Sequence, residues 1–208
     1  MARKSPDKNQ LHELLYQALE TEAGGIKIYE TAISCAVNSD LREEWEEYLD
    51  QTKNHHRILL GVFEALELNP ETMTAGREVV SHIGNSLVQA MELAKSAGDP
   101  DAAQLVAGEC VVHAETKDHM NWELIGLAAE KTSGPAGDVL KKAYEEVEKE
   151  EDHHLYHTKG WTRELWIDSL GLPAVLPPPE EIKNVETAIG ASRAEQSRED
   201  HLRGKRSH

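Results

Sequence analysis

Six residues that could bind a metal recur where helical periodicity turns side chains inward: Glu22, His55, Glu115, His119, Glu151 and His154. Carboxylate oxygen combined with neutral imidazole nitrogen suits iron, with manganese as the alternative, and the lack of thiolates among them speaks against a structural zinc centre. The clearest pair lies in YEEVEKEEDHHLYHTKGW, residues 144–161. Around it Leu140, Tyr144, Val147, Glu151, His154, Thr158 and Trp161 follow one another at alternating spacings of four and three, which is the inward seam of a packed helix. Glu151 and His154, three apart, share that face and can aim at a common ion or proton.

The elements that must position these residues are all helical. One Phe, eight Pro and long stretches of Ala, Leu, Glu and Lys make helix the default and leave almost no strand. The first helix spans Leu11 to Val37, with Glu22 at a core position; its Gly24–Gly25 pair implies close approach of another backbone. Asn38, Ser39 and Asp40 supply N-cap chemistry for a second helix, Leu41 to Leu68. On it His55 and His56 compete for the inward position, because two seams through Trp45 and Leu59 are nearly equivalent. A shorter amphipathic segment, Ala75 to Ala97, follows. Asp99 then caps a fourth helix with Pro100 at its first position, carrying Glu115 and His119 on the seam Leu105, Gly108, Val112, Glu115, His119, Trp122. After the breaker Thr132 to Gly137 the helix of Glu151 and His154 runs to about Ser169 to Gly171.

Two helix pairs with short turns, separated by a long connection from Asn69 to Asp99, predict an all-α four-helix bundle with a crossover containing an extra helix. Counted from the turns near Ser39 and Gly134, the six residues lie about 15 to 20 positions away, so at ~1.5 Å per residue they fall in one layer. An unpaired buried charge costs several kcal/mol against a total stability of about 5 to 15 kcal/mol, so converging carboxylates call for a cation.

Other features bound the function. The formal net charge is −16, which argues against a nucleic-acid surface. Cys35 and Cys110 lack metal-type spacing and are expected in or near the core. The charged start MARKSPDKNQ is unlike a signal peptide, no window nears the roughly 20 apolar residues of a membrane span, and a cytoplasmic protein is expected. Residues 1–171 form the bundle on this reading. Residues 172–208 form a proline-rich linker and a charged C-terminal extension, weakly helical over the first half of Ile182 to His208 and disordered at its end. His153 and His157 are spaced for a second, outward metal site or are surface histidines. Trp45, Trp122, Trp161 and Trp166 are core or interface mass.

Glu on the first helix, His on the second, a long crossover, Glu on the next and Glu-x-x-His on the last resemble the ferritin-like di-iron carboxylate superfamily, of the rubrerythrin and bacterioferritin kind, over Gln10 to Trp166. That resemblance implies ligand roles for Glu22, Glu115, Glu151 and His154, with Glu22 and Glu115 or Glu151 as bridges between two metals, a homodimer, and oxidoreductase or ferroxidase chemistry on O2 or peroxide. A metal-storage or metal-sensing binder without turnover, or a bundle that has lost its site, are the alternatives. The sequence departs from the family at Thr52, where the second helix should carry a Glu three residues before His55; His119 is the residue expected to fill that vacancy. Tyr29, Thr52 and His56 are the polar candidates for orienting the ligands.

Overall fold

The computed structural model describes residues 5–179, so the expectations for 182–208 lie outside the described residues. Among the described residues there are five helices and no strand: α1 (Lys8–Cys35), α2 (Ser39–Ala65), α3 (Ala75–Ser96), α4 (Pro100–Lys131) and α5 (Pro135–Ser169). The caps are those the sequence advertises. Asn38 Oδ1 accepts from the amides of Asp40 and Leu41, and Asp99 Oδ1 from those of Asp101 and Ala102, each satisfying donors that a helix start leaves orphaned. α1 begins earlier than its apolar seam suggests because Asp7 caps it through the amides of Asn9 and Gln10. α5 starts inside the expected breaker, since Pro135 is preset for a first helical turn and Gly134, at φ 77°, makes the preceding bend.

α1, α2, α5 and α4 close a ring in which α1 and α5, and α2 and α4, stand on the diagonals. Side-chain pairs running in opposite chain directions make the edges antiparallel: Tyr29 with Glu115 and Thr21 with Asn121 join α1 to α4, and Glu44 with Trp161 and His55 with Glu151 join α2 to α5. α2 and α4 therefore run in the same direction, and the chain must travel the bundle's length between them. α3 makes that crossing, packed on α1 and α4. The two glycines of α1 serve different neighbours: a Cβ on Gly25 would lie 3.2 Å from the Thr52 methyl, while Gly24 backs onto Gly84 of α3.

The apolar core comes in two clusters. One gathers Tyr29, Trp45, Tyr48, Cys35, Cys110 and Trp161 toward one end; the other gathers Leu15, Phe63, Trp122, Ile125 and Leu140 toward the other. Between them lies a polar layer. Both cysteines are buried, as are three of the tryptophans, whereas Trp166 is exposed and donates to Glu109. Beyond α5 the chain lies back on that helix: the Val175 amide donates to Glu164 and Leu176 packs on the first cluster.

The α4–α5 turn leaves no room for a side chain at Gly137, where a Cβ would sit 2.1 Å from the Thr132 carbonyl oxygen. Gly137→Ala should destabilise the fold by about 1–3 kcal/mol, the range for overpacking at a site that cannot relax, measured as a lower denaturation midpoint in urea.

Candidate metal centre

The polar layer draws on all four bundle helices: Glu22 from α1, His55 from α2, Glu115 and Asp118 from α4, Glu151 and His154 from α5. All six are buried, with Glu22, His55 and His154 at 0% exposure. Among the described residues two groups of three could each hold a metal ion: His55, Glu151 and His154, and Glu22, Asp118 and Glu151, with the ligand atoms of each group within 4.8 Å of one another. Ligands at about 2.0–2.2 Å from one ion are at most about 4.4 Å apart, so small side-chain adjustments close either group. Glu151 belongs to both. Glu115 flanks them, its Oε2 3.7 Å from His154 Nδ1.

Glu22, Glu115 and His154 are each held by a neighbour that leaves a metal-binding atom open. Trp122 donates to Glu22 Oε1 at 2.8 Å and Tyr29 to Glu115 Oε1 at 2.7 Å. His154 Nε2 lies 2.7 Å from the Gln51 side-chain oxygen, which can only accept, so that nitrogen carries the hydrogen and Nδ1 faces the carboxylates. His55 has Glu151 Oε1 2.8 Å from Nδ1 and Glu150 Oε2 2.6 Å from Nε2. What remains is five buried atoms without a hydrogen-bond partner: Glu22 Oε2, Glu115 Oε2, Asp118 Oδ1, Glu151 Oε2 and His154 Nδ1. Each such atom costs about 1–3 kcal/mol, and a cation is what would satisfy several of them together.

The electrostatics agree. Burial, then the charges of Asp118 and Glu151, push the Glu22 carboxyl well above its ordinary range, and burial with the charges of Glu151 and Glu115 does the same to Asp118. Burial also raises Glu151, but the adjacent His154 and His55 imidazoles outweigh it and hold that carboxyl at about 2. His154 loses affinity for its proton by burial and regains more from Glu115 and Glu151, ending at about 10. Without a cation, Glu151 is thus favoured as the anion beside His154, while Glu22 and Asp118 are biased toward their protonated forms. Burial and the adjacent Glu115 push the Tyr29 phenol upward, keeping it a donor.

The structure brings five of the six expected residues together and adds one. It settles the competition on α2: His55 faces the layer, while half-buried His56 sits on the flank near Arg77 and Glu20. Thr52 is buried against Gly25. His119 is in neither group; its Nε2 lies 2.6 Å from Asp152 Oδ1, on the outer side of the α4–α5 seam. Asp118 lies off the seam that steps four residues from Glu115 to His119, because the buried stripe Val111, Glu115, Asp118, Trp122, Ile125 steps three at that point. Weighing the i+3 neighbour equally would have found it, since Glu115-x-x-Asp118 repeats the spacing of Glu151-x-x-His154.

The second histidine pair is not outward. His157 is buried, 2.7 Å through Nδ1 from Glu44 Oε1, and stacks on His153 at 5.0 Å between ring centroids. Glu44 also accepts from Tyr48 and Trp161. Burial raises its pKa, these bonds lower it further, and Glu44 remains an anion that ties α2 to α5.

No protein-family model matches the chain, and no curated protein or solved structure matches it either.

Proposed function

We propose that this protein is a ferritin-like di-metal protein that binds iron, or manganese, and acts as an oxidoreductase on O2 or peroxide, ferroxidase activity included. The observation that carries the reading is the set of five unpartnered donor atoms in one buried layer. Its inventory supports it: Glu22, Glu115, Asp118 and Glu151 with His55 and His154 make four carboxylates and two imidazoles, the complement used by di-metal carboxylate bundles. Asp118 on α4 thereby makes good the carboxylate that Thr52 leaves out of α2. Four carboxylate charges balance two divalent cations.

The chain's own residues do the positioning. Trp122 and Tyr29 fix the rotamers of Glu22 and Glu115, Gln51 fixes the His154 tautomer, and the two apolar clusters keep bulk water from both ends of the layer. When bound, a pair of ferrous ions supplies the two electrons that reduce peroxide to water. No helix is long and apolar enough to cross a membrane among the described residues; a homodimer is the state this reading takes from the family resemblance.

Elemental analysis after reconstitution and dialysis should give about two ions per chain, and added ferrous ion should drive uptake of O2 or peroxide. Ions held without any uptake would convert the reading to a storage or sensing protein. Protein that emerges free of metal would overturn it.

A further inference from the structure

The centre is buried on every side, which raises the question of how a cation would reach it. The α1–α4 edge is covered by α3, and the α2–α5 edge is tied by Glu44 to Tyr48, His157 and Trp161. The α4–α5 seam differs. A cavity of about 30 Å³ opens there, lined by His119, Glu123, Tyr144, Glu148, Asp152 and, on its inner wall, Glu151. That volume suits one water or one ion. Glu151 is 1% exposed and its Oε2 has no partner, so the innermost wall of this cavity is also the carboxylate shared by both ligand groups.

Outside it lies a second cavity of about 680 Å³ that shares Glu123, Tyr144 and Glu148 and adds Glu130 and Glu145, with Lys141 the one cationic side chain lining it among the described residues. Wide acidic mouths over low-dielectric walls concentrate cations. From this mouth the donors descend in a ladder. The side chain of Glu123 is 65% exposed and 3.9 Å from His119 Nδ1; His119 is 12% exposed. His119 Nε2 lies 2.6 Å from Asp152, whose side chain is 7% exposed, and the side chain of Glu151 beyond it is 2% exposed. Oxygen and nitrogen donors of this kind suit the same divalent ions as the centre.

We propose that the α4–α5 seam is the loading path for a divalent cation, with His119 and Asp152 as transient ligands and Tyr144 as the gate between the two cavities. This rests on the metal-binding reading of the centre. Tyr144 stands at the neck, donating to Glu148 Oε1 at 2.6 Å. Its ring is seated against Gly126, where a Cβ would fall 2.8 Å from the ring carbons. The bond to Glu148 occupies an oxygen that an incoming cation would otherwise take, so passage requires the phenol to let go. His119, which spacing offered as a ligand of the centre, serves one step outside it.

The test is stopped-flow uptake of Co²⁺ by the metal-free full chain, followed by visible absorption, with final stoichiometry by equilibrium dialysis. Asp152→Asn should slow uptake about tenfold, a barrier increase of roughly 1.4 kcal/mol, and still reach the wild-type endpoint. Tyr144→Ala should accelerate uptake to the same endpoint. Opposite signs with one endpoint are not what general damage to the fold produces, and His119→Gln reads the same step if Asp152→Asn does not fold. Uptake at the wild-type rate in Asp152→Asn, His119→Gln and Tyr144→Ala, or slowing by Glu150→Gln alone, overturns the path and leaves the centre standing. Wild-type protein that takes up no Co²⁺ overturns the centre and the path together.

Discussion

Glu151→Gln should strip both ions from the protein, whereas His55→Ala should strip one. The difference follows from sharing. Glu151 belongs to both ligand groups, and His55 only to the group it forms with Glu151 and His154. The amide of Gln keeps the size of the side chain but supplies no anion, and it presents either a donor or a single neutral oxygen where two open positions need charge. Substitutions that merely reorient a ligand lower metal affinity about 10- to 100-fold, so loss of a shared anion should exceed roughly 100-fold at each position. Elemental analysis after dialysis would then fall from about two ions per chain to near zero in Glu151→Gln and to about one in His55→Ala. His55→Ala keeps Glu22, Asp118 and Glu151, three carboxylates that suit one hard divalent cation. A Glu151→Gln protein that is folded by circular dichroism and still holds one ion would show that the two positions do not share this carboxylate, and the two-ion arrangement would have to be abandoned.

The four-helix layout was open to sequence reading because its signals are local and repeated. Asn38 and Asp99 announce helix starts, Pro100 and Pro135 preset first turns, and the connection from Asn69 to Asp99 is long enough to span a bundle. The shared depth of Glu22, His55, Glu115, Glu151 and His154 was legible for the same reason, since distance from a turn converts directly into height along a helix. What the sequence could not deliver was rotation about the helix axis to better than one residue. His55 and His56 are 100° apart on α2 in an ideal helix, and only the packing of Tyr48 and Val62, buried where Leu49 is partly exposed, selects between them. The same uncertainty put His119 in the layer and left Asp118 out of it. Groups that act through long-range partners were harder still: Gln51, Glu150 and Asp152 gain their roles from α2–α5 and α4–α5 contacts that no local pattern encodes. The fate of His157 was hidden likewise, because Glu44, 113 positions away in sequence, turns a surface-looking histidine into a buried tie.

Metal-free protein should lose stability as the pH rises from about 6.5 toward 10, and added metal should restore it. Folding raises Glu22 and Asp118 well above their ordinary values of 4.5 and 3.8, so the folded chain holds protons that the unfolded chain has released. Their contribution is complete below about pH 4 and is lost as the pH climbs through the raised values. His154 acts in the same sense between 6.5 and about 10. Glu151 acts in the opposite sense, its contribution being lost as the pH falls from 4.5 toward about 2. The metal-free optimum therefore lies in mildly acidic solution. At about 1.4 kcal/mol per unit of pKa difference and roughly 2–4 °C per kcal/mol for a domain of this size, the midpoint of thermal unfolding should drop by about 5 °C or more over that window. A cation reverses the sign, because it replaces the protons and needs the carboxylates ionised. At a free concentration of about 100 Kd it adds about 2.7 kcal/mol, which at the same conversion raises the midpoint by about 5–11 °C at pH 8 and by less at pH 5. Calorimetric scans at several pH values with and without Mn²⁺ would measure both effects. Equal metal-induced shifts at pH 5 and pH 8 would mean that the ion does not compete with protons on Glu22, Asp118 and His154, and so does not bind in this layer.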